Sequence, residues 1–146
     1  MELQYLGTAA AEGWPALFCD CRICRHARET GGKELRTRTQ SLVDGKILID
    51  FPPDTYAHAL GYSLQLGKIK HLLVTHSHMD HFFPVELIHR HEHFGHHAEG
   101  MLHVYGNEAV EEAFYGAVLI DRFRVHPLDE AVKFVRLKPF GDFMAD

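Results

Sequence analysis

Short runs of apolar residues punctuated by turn-forming residues mark out the chain. Glu2-Leu3-Gln4-Tyr5-Leu6 reads as a strand, and Gly7 to Phe18 as a loop rich in Gly and Ala that contains Gly13-Trp14-Pro15. Residues 21–30 predict a helix that stops at Gly31-Gly32. Strands near 40–44 and 46–50 flank Asp44-Gly45, a dipeptide with a strong hairpin preference. Pro52-Pro53 breaks the chain, and Asp54 is placed to cap a helix over 55–62. Leu72-Leu73-Val74 reads as a buried strand, and Pro84 opens a helix reaching the low 90s. On that helix Val85, Leu87, Ile88 and Phe94 are expected to face the core. A strand over 101–105, a helix over 107–116 opened by Asn107, and a strand over 131–137 complete the pattern. No repeat or composition shift divides the chain. The expectation is one domain over 1–146, of α/β or mixed α+β class.

Composition narrows this picture. A chain of 146 residues, 46% hydrophobic and 24% charged, can bury one sizeable core and is neither collagen-like nor disordered. No apolar run approaches the roughly 18 residues that span a bilayer, so no membrane partner is expected. The strand-like start directly after Met1 leaves no room for a secretory leader, and the expected location is cytoplasmic. A net charge of -5 makes nucleic acid a disfavoured partner. Arg22, Arg25, Arg28, Lys33, Arg36 and Arg38 form a local basic stretch, which reads as a solvated face with a phosphate-positioning patch as the alternative.

Histidine is the outlier. The chain carries 13, mostly between His71 and His103. The most informative segment is Leu73-Val74-Thr75-His76-Ser77-His78-Met79-Asp80-His81. Alternate side chains of an extended segment share a side, so His76 and His78 can face one metal ion. Beyond them the chain must turn, and Asp80 and His81 can face a second. Imidazole and carboxylate suit zinc, iron or manganese, and a mixed set favours a catalytic over a closed structural site. Phe82 and Phe83 read as core. In His89-Arg90-His91-Glu92-His93-Phe94-Gly95-His96-His97, His89 and His93 share a helical face, read here as a polar face rather than a metal site. Cys19, Cys21 and Cys24 are odd in number and clustered, a poor pattern for disulfides in a reducing compartment. They can offer three thiolates to one zinc, with His26 a nearby fourth candidate and a water or a neighbouring chain as alternatives.

His76-x-His78-x-Asp80-His81 resembles the signature of the metallo-β-lactamase-fold hydrolases. Leu6-Gly7-Thr8-Ala9-Ala10 and Ile47-Leu48-Ile49-Asp50 sit where that superfamily carries similar segments. Gly7-Thr8, Gly13-Trp14-Pro15 and Cys19-x-Cys21-x-x-Cys24 look like the phosphodiesterase branch that includes the cyclic-phosphate phosphodiesterase of phosphonate breakdown. A pyrroloquinoline-quinone biosynthesis protein has a similar cysteine segment.

The resemblance implies an αββα sandwich with a metal pair at one edge. His76 and His78 would bind one ion, Asp80 and His81 the other, and a hydroxide activated by the dinuclear pair would attack a phosphodiester. Asp80 would also orient that hydroxide as the catalytic carboxylate. Zn2+ is the expected catalytic metal, with Mn2+ or Fe as alternatives, and the cysteines would hold a third, structural Zn2+. Asp50 would support a ligand histidine, or serve merely as a strand-end turn residue. The family also needs a later histidine, a bridging aspartate and a last histidine, which Asp121, His126, Asp142 and Asp146 do not match. The chain is therefore expected to be the N-terminal half of the fold, incomplete for catalysis and self-associating through its uncovered sheet. Two alternatives stand beside a small-molecule phosphodiesterase. One is a non-catalytic zinc-binding domain; the other is a hydrolase of the same fold acting on a thioester, lactone or β-lactam.

Overall fold

The computed structural model describes residues 1–120 and 128–142. Asp121, His126 and Asp146 lie outside the described residues, and Asp142 is exposed. The described chain runs β1 (Leu3–Gly7), α1 (Arg22–Thr30), β2 (Gln40–Val43), β3 (Ile47–Ile49), α2 (Thr55–Gly61), β4 (His71–Leu73), β5 (Leu102–Gly106), α3 (Glu108–Ile120) and β6 (Val132–Arg136). Short 3-10 turns occupy Gly32–Glu34, Leu66–Lys68, Pro84–Arg90 and Leu128–Glu130.

The six strands form one sheet in sequence order. β1, β2 and β3 pair antiparallel, and β3 through β6 pair parallel. The switch follows from the connections. β2 and β3 are joined by the Asp44-Gly45 turn, whose φ values of 50° and 67° match the right-handed twist of a hairpin. The later strands are joined by long crossovers, which parallel pairing requires.

Register aligns one apolar row across five strands: Leu42, Leu48, Leu72, Val104 and Phe134. Leu87 from the 3-10 turn, with Val110 and Phe114 from α3, joins that row in the core. Gly106 permits α3 to come this close, since a Cβ there would stand 2.6 Å from Cγ1 of Val110. The opposite row, Tyr5, Ser41, Ile49, Leu73, Tyr105 and Val135, alternates onto the other face. On that face Leu3 and Tyr5 are largely exposed. This is the mixed α/β class that the pattern predicts, with one of the two sheets of an αββα sandwich among the described residues.

Three local expectations need correction. Residues 84–90 form a 3-10 helix that ends at Arg90, so His89 and His93 do not share a helical face. Leu87 is buried, but Val85 and Phe94 are exposed, because the chain turns away before residue 94 completes an apolar stripe. Asp54 sits at the N-cap of α2 but makes no capping bond. Its carboxylate instead accepts from the Arg38 backbone N–H at 2.7 Å and faces the Arg38 guanidinium at 3.2 Å. Asn107 does cap α3, accepting from the Val110 N–H at 3.1 Å.

Candidate metal centre

β4 delivers the histidine segment to the edge where parallel strands end. The turn beyond it is closed by the His78 carbonyl, which accepts from the N–H groups of His81 and Phe82 at 2.9 and 2.8 Å. Phe51 clamps the same turn: its N–H donates to the His81 carbonyl, and its own carbonyl accepts from Phe83, both at 2.7 Å. Phe82 is 1% exposed and anchors the turn in the core.

The imidazoles cluster. Ring centroids of His76 and His78 lie 4.8 Å apart, and those of His76 and His81 4.0 Å apart. His81 Nε2 stands 3.4 Å from the Asp80 carboxylate. On its other side His81 Nδ1 lies 2.7 Å from Asp50 Oδ2. A carboxylate only accepts, so Nδ1 carries a proton. Thr75 extends this logic. Its hydroxyl donates to Asp50 at 2.8 Å, which leaves its oxygen to accept from His76 Nδ1 at 3.1 Å. Both imidazoles thereby commit Nδ1 to a protein acceptor, so Nε2 is the ring nitrogen that a metal would use. This is the carboxylate–histidine arrangement that orients metal-binding rings.

Asp50 is buried and has φ of 64°. Asp tolerates the left-handed region better than most side chains, but the conformation must still be held. Its own N–H bonds the Leu73 carbonyl at 2.9 Å, and its carboxylate accepts the Thr75 N–H at 2.8 Å. From below, Gln40 Nε2 donates to the Asp50 carbonyl at 2.9 Å and to Thr55 Oγ1 at 3.1 Å. Gln40 Oε1 meets His58 Nδ1 at 2.6 Å, and His58 Nε2 meets Thr37 at 2.6 Å. Burial holds the His58 imidazole below its ordinary pKa, with Asp54 partly opposing. Sequence reasoning missed Thr75, Gln40, Thr55 and His58. The visible signal was polar residues at inward positions of a strand and a helix, which need partners when buried.

The cysteine cluster is assembled differently. Cys19, Cys21 and Cys24 are the one group among the described residues in which three His, Cys, Asp or Glu ligand atoms all lie within 4.8 Å of one another. Sulfurs on one tetrahedral zinc stand about 3.8 Å apart, so the trio fits that ion. Cys21 is the N-cap of α1, its sulfur 3.5 Å from the Cys24 N–H. That N–H, then the neighbouring Cys19 and Cys24 thiols, bring the Cys21 thiol down to about 7. The Cys24 thiol is pulled down by the backbone at Ala16, but burial and the neighbouring sulfurs outweigh this and raise it. His26 does not join the trio; its Nε2 lies 3.4 Å from the Thr30 hydroxyl.

The basic stretch has local work. Arg28 donates to the carbonyls of Ala16 and Cys19, and Arg25 to the Asp20 carbonyl. Both also pair with the Asp20 carboxylate, tying the cysteine loop to α1. Of the later histidines, His91 is buried and faces Glu130 at 3.5 Å, and its Nδ1 accepts from the His93 N–H. No helix among the described residues is long and apolar enough to cross a membrane.

The mixed sheet, with its histidine-bearing turn where the parallel strands end, corresponds to one of the two sheets of the metallo-β-lactamase fold. Solved structures of that fold superpose on nearly the whole chain. A diphosphatase from the PhnP family gives a TM-score of 0.68 at 24% identity, covering 93% of this chain and 50% of that one. Zn2+-bound PqqB from Methylobacterium extorquens gives 0.66 at 22% identity, covering 94% and 46%. The short form of human tRNase Z gives 0.59 at 18% identity, covering 92% and 43%. The chain thus spans about half the length of each. An octanoyltransferase from Porphyromonas gingivalis (strain ATCC BAA-308 / W83) is 35% identical over 83 residues, which is 56% of this chain and 16% of that protein. No family model matches the chain.

Proposed function

We propose that the chain contributes the first half of the metal centre of a metal-dependent hydrolase, with a phosphodiester as substrate. The observation that carries the reading is the Asp50–His81 contact, with Thr75 relaying the same carboxylate to His76. A solvated polar loop has no use for a buried carboxylate that fixes two imidazole tautomers. His76 and His78 would hold one ion, Asp80 and His81 a second, with zinc first and manganese or iron as alternatives. When bound, such a pair supplies a lowered water pKa and stabilises developing charge on phosphorus oxygens. Asp50 orients the His81 ring through Nδ1, and Thr75 does the same for His76, so that Nε2 of each would face the ion. Asp80, beside His81, would orient the attacking hydroxide and accept its proton. The diphosphatase and tRNase Z support hydrolysis at phosphorus over the thioester, lactone and β-lactam alternatives.

Metal analysis of the purified chain, paired with bis(p-nitrophenyl) phosphate turnover, tests this. His76→Ala and Asp80→Ala should each lose metal, together with whatever turnover the half-site supports, with little change in stability. Unchanged metal content in both variants would remove the assignment.

One observation favours a second, non-catalytic reading: the three thiols converge, whereas the His76, His78, Asp80 and His81 ligand atoms do not meet within 4.8 Å as a group of three. Zinc bound without turnover would support it. Self-association over the Leu3 and Tyr5 face, expected in either reading, is measured by sedimentation equilibrium.

A further inference from the structure

On the covered side of the sheet, a cavity of about 270 Å³ that none of the candidate metal ligands lines opens between the strands and the segment 84–98. Its walls include Leu48, Leu72 and Leu102 from the sheet, Leu66 and Leu87 from the 3-10 turns, and Phe51 beside Asp50. Aliphatic side chains dominate, so water gains few partners there.

Arg90 also lines the cavity, with Glu86 and His89 as the other charged or polar side chains there. Its Nη1 donates to the Leu66 carbonyl, and its Nη2 faces the carbonyls of Gly67, Glu99 and Gly100. Its Nε is buried with no hydrogen-bond partner. None of the ion pairs among the described residues includes Arg90. Glu86 and His89 line the same cavity, yet neither pairs with it. Burial pushes the guanidinium below its ordinary pKa, as expected of a cation with no anion beside it. A buried donor without a partner, as at Nε, is costly. That cost disappears when an acceptor enters the cavity beside Nε, and an anionic one also pairs with the guanidinium charge.

We propose that this cavity binds a medium-chain aliphatic carboxylate, its chain against the leucines and its head accepting from Arg90. Size sets the chain length. An apolar cavity of about 150 Å³ holds the six carbons of benzene. By the same measure the cavity here takes a chain of about eight to ten carbons. The proposal is independent of the metal reading, since it uses none of the histidine-turn or cysteine ligands.

Calorimetric titration of the full chain with sodium octanoate, below the concentration at which it forms micelles, is the test. 1-Octanol and acetate serve as the neutral and chainless controls. Saturable one-to-one binding of octanoate is expected, with each control at least tenfold weaker. Arg90→Met should bring octanoate down to the octanol level. Because Arg90 also joins two loops, a second variant is needed: Ala98→Phe fills the cavity from a half-buried position and should abolish binding with an unchanged circular dichroism spectrum. Equal binding of octanoate and octanol, binding that survives Ala98→Phe, or no saturation would each overturn the proposal.

Discussion

The cysteine loop and the histidine turn both gather metal-binding side chains, but they do so by opposite means. Cys19, Cys21 and Cys24 lie within six residues and converge through one helix start. Their anchors are local: Arg25 and Arg28 hold the loop from the next turns of α1. The histidine turn depends on residues far away in sequence. Asp50 reaches His81 across 31 positions, and Gln40 reaches His58 across 18. The first site is exposed at Cys21 and needs little of the fold; the second is fixed from beneath by buried polar groups and fails if the sheet register slips. Local sites are set by spacing, and distributed sites by topology.

The largest expected effect comes from cutting the distributed site at its hub. Asp50→Ala leaves the Thr75 N–H and the His81 Nδ1–H without their acceptor, and should cost about 2–3 kcal/mol in urea unfolding. Zinc affinity at the histidine turn should fall about 10- to 100-fold, as when outer partners of ligand histidines are removed. Zinc uptake at the cysteine trio, measured separately, should be untouched. Asp50→Asn keeps the left-handed backbone and some of the bonds, so it should recover stability without recovering affinity. If both sites lose metal together, the contrast between them is wrong. Gln40→Leu acts one layer further out. It strands His58 Nδ1 and the Asp50 carbonyl, and should cost about 1–3 kcal/mol while weakening metal binding less than Asp50→Ala does.

These long-range partners explain which parts of the molecule were legible in the sequence. The strands, the Asp44-Gly45 hairpin and the Asn107 cap each rest on neighbours in the chain, and they could be read directly. So could the grouping of the cysteines. The Asp54 cap could not, because Arg38 competes for the carboxylate from 16 residues away. The helix expected after Pro84 tightened to 3-10 and stopped at Arg90, whose guanidinium donates to the carbonyls of Leu66 and Glu99. The motif announced His76, His78, Asp80 and His81, but nothing local announced that Thr75 links Asp50 to His76. A buried network is a property of register and packing, and it appears only when strands are placed side by side.

A pH titration probes the same layer. His58 is neutral in the fold because burial lowers its pKa, whereas in the unfolded chain it takes up a proton near the ordinary value of about 6.5. The unfolded state therefore binds more protons below that pH, and stability falls as pH falls from about 6.5 toward the folded value. The slope is at most about 1.4 kcal/mol per pH unit for one proton. His58→Gln should flatten it. A slope that persists in that variant would assign the pH dependence to other groups.

The smallest effect on the apo protein is expected at the local site, and its sign is informative. Cys21 caps α1 through a long sulfur contact of 3.5 Å to the Cys24 N–H. Serine is a preferred N-cap residue and its oxygen makes a better acceptor. Cys21→Ser should thus leave apo stability within about 0.5 kcal/mol, shifted toward greater stability. In the presence of zinc the order reverses, because serine cannot replace a thiolate on the ion and the variant loses one bound equivalent. Unfolding curves recorded with and without zinc should therefore cross between wild type and Cys21→Ser, while the histidine-turn affinity stays constant. Curves that do not cross would mean that the three thiols are packed and reduced, and that only the histidine turn is built for metal.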